Sequence, residues 1–429
     1  MTPGSAFSPD PGSVPRTLWV PPFPSATTKE GTTMHARSPH ALIAATVLTA
    51  CLGTVPLAAS PAWAAPAGAT AGAAALRTGP LLSDASTVLD PATGAFRLSW
   101  TQNPAVRRVS VYASTRPQDP RADGRPVATT AGTGTTGSVS VTGLDPTKRW
   151  YFELVPDDAA LGTETAVRDI AVPGALNVRD LGGYTTRDGT QVRWGTVFRS
   201  ASLGTVTPAG DTVLAGLGLR EVIDFRTPTE TAASGVDVLP PGVTDVNLPI
   251  DTGDAGGSLG SLTPAQFAAL FGNGQAAADL HQVYQQFVTS PADRLQFGTA
   301  LKTIAAGGSS PLLFHCSAGK DRTGWMSAVL LTALGVPKNQ VYADYLLSDP
   351  ELAASNAALE AELTDAGYDA ALIVPLLTVD RSDLDTAFAE VTQQYGSMDG
   401  YLTRGLDLSG STIAELRARL LQPQALTRS

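Results

Sequence analysis

The sequence predicts an α/β domain with a central, mostly parallel sheet flanked by helices, preceded by a small all-β sandwich. Three observations predict it. Between about residues 80 and 172, short runs alternate apolar and polar residues and are separated by Gly/Pro/Asp clusters, the pattern of a two-faced antiparallel sheet. After residue 173, short apolar runs alternate with helical periodicity, as parallel strands joined by helices do. Finally, Cys316 lies between the apolar run 311–314 and the helical run 325–334, in a glycine-containing turn.

Residues 1–33 are polar and proline-rich, and Met34 is read as the true start, which makes 1–33 a start-site overcall. Residues 34–64 read as a secretory signal peptide. A segment with His35, Arg37 and His40 precedes an apolar stretch over 41–59, and Ala62-Trp63-Ala64-Ala65 offers a small-x-small cleavage pattern. Leu48-Thr49-Ala50-Cys51 also resembles a lipoprotein cleavage box. The chain stays apolar after Cys51, however, whereas a lipid-anchored chain turns polar there, so release is favoured over anchoring. The expected location is secreted or envelope-associated, without a stable membrane span after cleavage. Residues 65–79, rich in Ala, Gly and Thr, read as a linker.

In the β region, 80–172, Phe96, Leu98 and Trp100 share one strand face, as do Val109, Val111 and Ala113. Val139 with Val141, and Trp150 with Phe152 and Leu154, suggest further strands. Residues 144–150 (LDPTKRW) resemble the corner of fibronectin type III domains, with Trp150 where tyrosine is usual. The α/β region, 173–429, has strand signals at Val192, Trp194, Val197-Phe198 and 221–225. Thr207-Pro208 and Thr263-Pro264 open helices, since proline suits the first helical turn. Phe267, Leu270 and Phe271 either form a lid over the site or pack on the core. Residues 351–366, 382–395 and 411–422 read as amphipathic helices.

Composition narrows the function. The formal net charge is −10, and no basic block could neutralise a nucleic-acid backbone. There is no Gly-Lys-Ser/Thr nucleotide loop, no His-Glu-x-x-His and no Cys-x-x-Cys, so no cofactor or metal is expected. Only two cysteines are present, Cys51 and Cys316, and loss of the leader leaves one. An exported chain with one unpaired thiol suits a nucleophile that a disulfide would inactivate.

Residues 315–324 read HCSAGKDRTG. A strand–loop–helix turn places this loop at a helix N-terminus, where free amides and the positive dipole end favour an anion. Such a setting also favours the thiolate of a cysteine, so Cys316 is the candidate nucleophile. Arg322 supplies a planar fork for two phosphate oxygens. Gly319 allows the sharp turn that points amides inward. The Thr323 hydroxyl is placed to stabilise the thiolate when it leaves. The chemistry is covalent phosphoryl transfer followed by attack of water.

These residues resemble the phosphate loop of cysteine-dependent protein tyrosine phosphatases. The GKDRTG ending is similar to the bacterial atypical group, whose members act on phosphotyrosine, phosphoserine/threonine and phosphoinositides. Residues 177–184 (NVRDLGGY), 198–201 (FRSA), 222–230 (VIDFRTPTE) and 341–348 (VYADYLLS) also resemble that group. The likeness covers about 174–422 and implies a cysteine phosphatase fold for the α/β region. It implies Asp321, inside the loop, as general acid. Asp224, at the end of an apolar run, is the competing candidate. Ser317, Ala318, Gly319, Lys320, His315 and Arg199 are the expected substrate-binding set. His315 alternatively only holds the loop. Arg179, Asp180, Arg199 and Asp224 alternatively form a buried structural ion-pair set, and that reading is preferred for Arg179 and Asp180. The leading function is an exported phosphatase acting on phosphorylated protein or phosphoinositide, with the β-domain partner unknown. Alternatives are a catalytically silent phosphatase fold that binds through its β domain, and a sulfur-transfer enzyme.

Overall fold

The computed structural model describes residues 80–424, apart from positions 118, 122, 133, 158 and 253–261. The expected leader, the linker and Cys51 lie outside the described residues.

Seven strands build the β region: β1 (Leu82–Leu89), β2 (Phe96–Gln102), β3 (Arg108–Ser114), β4 (Ala128–Ala131), β5 (Thr136–Val141), β6 (Tyr151–Pro156) and β7 (Thr163–Ala166). They form two antiparallel sheets, β1-β2-β5 and β4-β3-β6-β7. Phe96, Leu98 and Trp100 from the first sheet meet Val109, Val111, Ala113, Phe152 and Leu154 from the second in one apolar core. Residues between them on β2 are exposed, so alternation decides which face is buried. The Trp150 indole donates to the Asp145 carbonyl at 2.8 Å, so the corner keeps its backbone tie with tryptophan in place of tyrosine.

The second region adds β8 (Arg179–Asp180), β9 (Gln191–Val192), β10 (Val197–Ser200), β11 (Glu221–Asp224), β12 (Thr244–Asn247), β13 (Leu312–His315) and β14 (Leu421–Gln422). Its main sheet runs β12-β11-β13-β10-β8, parallel except for the β10–β8 pair. β13 is central and buried on both faces. Leu312 and Phe314 enter one core and Leu313 the other, as expected for a parallel strand covered by helices on both sides.

The helices are α1 (Pro208–Gly216), α2 (Pro228–Ser234), α3 (Pro264–Phe271), α4 (Gln275–Thr289), α5 (Pro291–Ala306), α6 (Asp321–Ala333), α7 (Lys338–Leu346), α8 (Ser348–Asp365), α9 (Ala370–Leu377), α10 (Arg381–Tyr395), α11 (Met398–Gly400) and α12 (Gly410–Leu420). α1, α2, α3 and α5 each start with Thr or Ser before proline, and each hydroxyl accepts a first-turn N–H. α6 begins at Asp321, four residues before the apolar run that announced it, so Asp321, Arg322 and Thr323 belong to its first turn. Phe267 and Phe271 of α3 pack with Ala276 and Ile373 in a satellite cluster, while Leu270 is exposed. No described helix is long and apolar enough to cross a membrane.

Candidate active site

The three parallel strands β10, β13 and β11 end side by side, and the site lies at their carboxyl ends. Here the 315–320 loop turns its carbonyls outward. His315 O accepts from Phe225 N at 2.9 Å, and Ser317 O from Ser202 N at 2.9 Å. Asn177 Nδ2 donates to the carbonyls of Ala318 at 3.2 Å and Gly319 at 3.0 Å. Arg199 Nη2 donates to Gly319 O at 2.7 Å. The loop's carbonyls are thus engaged by the protein where the chain enters the N-terminus of α6, a position at which free amides favour an anion. Gly319 is obligatory: its φ is +69°, and a Cβ would lie 2.3 Å from the Ser200 carbonyl oxygen. Cys316 is a free thiol, 2% exposed, at the start of this loop.

Arg322 is clamped. Its Nη1 and Nη2 donate to the two oxygens of Glu230 at 2.7 and 2.6 Å, a fork-on-fork pair. Nη1 also donates to the carbonyls of Phe225 at 3.2 Å and Ile250 at 3.0 Å. Burial opposes charge on this guanidinium, yet Glu230, Cys316 and Asp321 together push its pKa up. Burial likewise works against the Glu230 carboxylate, but Arg322 outweighs it and holds the carboxyl down to about 2. Glu230 also accepts from Ser317 Oγ at 2.7 Å, tying the clamp to the loop. Its own position comes from a capping box with Thr227 at the start of α2.

Behind the loop lies a second charged cluster. Arg179 and Arg199 are fully buried and share Asp344, at 3.4 and 2.8 Å. Burial disfavours the Asp344 carboxylate, but the two arginines hold its pKa below the ordinary range. Burial and then the neighbouring Arg179 push Arg199 down to about 10. Of the two readings the sequence leaves for Arg199, substrate contact and member of a buried ion-pair set, these contacts fit the second. Arg199 is sealed from solvent and grips the loop from the rear.

Other expected residues divide similarly. His315 is wholly buried, with Nε2 2.7 Å from Asp237 Oδ2 and Nδ1 3.0 Å from the Cys316 carbonyl, so it holds the loop rather than touching substrate. Asp224 is also a brace: both its oxygens accept from Arg226 Nε, at 3.0 and 3.1 Å, so of the two acid candidates it is the one engaged by an arginine. Asp224, Asp237 and His315 have metal-ligand chemistry, but Arg226 bridges the two carboxylates and already supplies the cation. Asp321 Oδ1 accepts from Tyr284 Oη at 3.1 Å, and its side chain keeps 22% exposure. Lys320 lies 5% exposed, its ammonium donating to the Thr378 carbonyl past the end of α9 and 3.4 Å from Asp321. The Thr323 hydroxyl is buried without a hydrogen-bond partner, next to the nucleophile's loop.

Residues 170–422 match the model of the tyrosine phosphatase family. A candidate tyrosine-protein phosphatase of Cupriavidus necator is 34% identical over 280 residues, covering 62% of this chain and 94% of that protein. The triple specificity protein phosphatase PtpB of Mycobacterium tuberculosis is 29% identical over 284 residues, covering 60% of this chain and 99% of that protein. A tyrosine-protein phosphatase of Nostoc commune is 29% identical over 242 residues, covering 52% of this chain and 74% of that protein. On this match and on the loop that carries Cys316 and Arg322, the chain belongs to the tyrosine phosphatase family, and its enzyme class is protein-tyrosine phosphatase.

Proposed function

We propose that this chain hydrolyses phosphate monoesters through a phosphocysteine intermediate, and that it does so after export. The observation that carries the reading is the loop around Cys316, with its carbonyls pinned outward and Arg322 held by Glu230. In the first step the Cys316 thiolate attacks phosphorus. The S–P bond forms as the ester P–O bond breaks, and Asp321 gives its proton to the leaving oxygen. In the second step water attacks phosphorus, Asp321 takes the proton, and the S–P bond breaks. The unpaired Thr323 hydroxyl is available to stabilise the departing thiolate. No metal is needed, because Arg322 and the amides carry the transferring charge.

The substrate class is phosphotyrosine together with phosphoserine/threonine and phosphoinositides. The loop recognises the phosphoryl group itself, through amides and one guanidinium, which is compatible with several ester partners. The name of the Mycobacterium relative, a triple specificity protein phosphatase, points the same way. Export is supported by the 34–64 segment and by the single thiol that cleavage would leave.

Cys316→Ser tests the chemistry. Turnover of p-nitrophenyl phosphate should vanish, while vanadate still binds through the amides and Arg322. Measurable turnover by the folded serine variant would rule out phosphocysteine. Fractionation of the producing cell tests export: a mature N-terminus near Ala65 outside the cytoplasm supports it, and an uncleaved cytoplasmic chain refutes it.

A further inference from the structure

We infer that the β-sandwich is a working part of the phosphatase, and that Arg149 from it is a positioning residue for the phosphate loop. Arg149 precedes β6 and lies outside the 170–422 segment that matches the family. Its side chain crosses to the α/β region, where Nη2 donates to Asp180 Oδ2 at 2.7 Å. Nη1 donates to the Val167 carbonyl at 2.9 Å, and Nε to the Tyr151 hydroxyl at 2.9 Å. The guanidinium also lies over the ring of Phe198, 5.8 Å from its centroid. Asp180 is fully buried, and among the described residues Arg149 is its ion-pair partner.

Asp180 sits where position matters. Its other bonds are from the amides of Gly182, at 2.8 Å, and Gly195, at 2.7 Å. Its neighbour on β8 is Arg179. Adjacent strand residues point to opposite faces, so one face of β8 meets the β-sandwich and the other meets the loop brace. The pairs Phe198↔Asp180 and Arg199↔Arg179 lock β8 to β10. Arg179 bonds Asn177 Oδ1, and Asn177 and Arg199 hold the Ala318 and Gly319 carbonyls. From Arg149 to the loop, the path is one ion pair, one two-residue strand and one layer of hydrogen bonds. A second arm is parallel: Arg168 donates to the Asp180 carbonyl at 2.6 Å and stacks on Tyr184, which donates to Asp344.

The seam is packed, as a mechanical coupling requires. Tyr151 and Ala166 share an apolar cluster with Trp194. Trp194 Nε1 and Gln191 Nε2 both donate to the Glu164 carbonyl, at 3.1 and 2.9 Å. Gly195 has φ +67°, and a Cβ there would lie 2.6 Å from Pro117 and 2.8 Å from the Tyr151 hydroxyl. A binding module on a free tether has no need of such a fit.

The inference rests on the loop being the phosphate site, and the test separates the two ideas. In the full chain, Arg149→Met and Arg149→Lys are compared with Val111→Ala, which weakens the sandwich core without touching Asp180. Vanadate affinity and kcat/KM for p-nitrophenyl phosphate are read together, in protein shown to be folded. Arg149→Met should lose roughly tenfold in both, the scale of one charge-assisted bond. Arg149→Lys should fall between, and Val111→Ala should match wild type. Equal vanadate affinity in wild type and Arg149→Met overturns the positioning role, as does an equal loss in Val111→Ala. If Arg149→Met does not fold, Arg149→Lys decides: weaker vanadate binding supports the role and unchanged binding overturns it. A wild-type protein that fails to bind vanadate breaks the phosphate-site reading instead.

Discussion

The phosphate loop has an arginine–carboxylate cluster on each side, and the two differ in burial and in stoichiometry. In front, Arg322 faces one carboxylate, Glu230, with side-chain exposures of 5% and 9%. Behind, Arg179 and Arg199 share Asp344, and none of the three side chains exceeds 1%. The front pair is balanced and borders the cradle, so an arriving phosphoryl group can share its guanidinium. The rear cluster has two cations for one anion and is closed to ligand. Several of its surplus donors go to protein acceptors, namely the Asn177 side chain, the Asp344 carbonyl and the Gly319 carbonyl, while Arg199 Nε is buried without a partner. Similar side chains thus do chemistry on one side and architecture on the other. Burial and the acceptor at the far end decide which.

The largest expected effect lies at the rear. Asp344→Asn leaves two buried guanidinium groups without a carboxylate, and breaking such a pair from one side costs about 3–5 kcal/mol. Urea unfolding should show that loss, together with collapse of vanadate binding. A wild-type midpoint would erase the contrast between the two clusters.

The front of the site was legible in the sequence because it is contiguous. Cys316, Gly319, Asp321 and Arg322 fall within seven residues, and strand and helix signals on either side fix their direction. The brace was legible only in part. Arg179 read as structural, but its partner Asp344 did not, because Asn177, Arg179, Arg199 and Asp344 meet across long stretches of chain and hydrophobic periodicity reports only local faces. Glu230 closes the 222–230 motif, but its role appears only when α2 docks beside α6. The one local sign was a capping box, which explains a helix start and not a clamp. The start of α6 was missed for a related reason. Its N-cap is Lys320 with no side-chain cap, since a phosphate nest leaves those amides open. α5 escaped because its apolar residues are spread around the helix, and α9 because it carries Pro375 inside a short apolar run. In the β region, alternation identified core residues most cleanly on β2, whose other face is exposed, whereas β6 is buried at every position.

Next in size is the separation of the two aspartates. Asp321 keeps some exposure beside the loop, whereas Asp224 is spent on Arg226. Asp321→Asn should slow alkyl phosphate hydrolysis by about 10²–10⁴-fold, the usual scale of general acid catalysis, and p-nitrophenyl phosphate much less. Asp224→Asn should lower stability and affect both substrates alike. A leaving-group effect in Asp224→Asn, with none in Asp321→Asn, would move the acid to the brace and dissolve the division between front and rear.

The smallest effect tests the front clamp itself. Glu230→Gln keeps the shape but loses the charge that aims Arg322. A charge-assisted bidentate pair is worth about 1.5–3 kcal/mol, so kcat/KM should fall roughly 10- to 100-fold, with leaving-group sensitivity unchanged. Stability carries a separate signature in pH. Glu230 is held down to about 2 in the folded chain, although burial opposes this, because Arg322 lies against it. An unfolded glutamate titrates at about 4.3, so the folded state gains from ionised Glu230 above that pH. The gain is lost as pH falls from there through the folded value. Wild type should therefore melt above Glu230→Gln at pH 6, and the gap should close progressively below about pH 4. A gap that stayed constant to pH 3 would mean that the pair contributes through shape alone, and that front and rear differ in exposure but not in electrostatics.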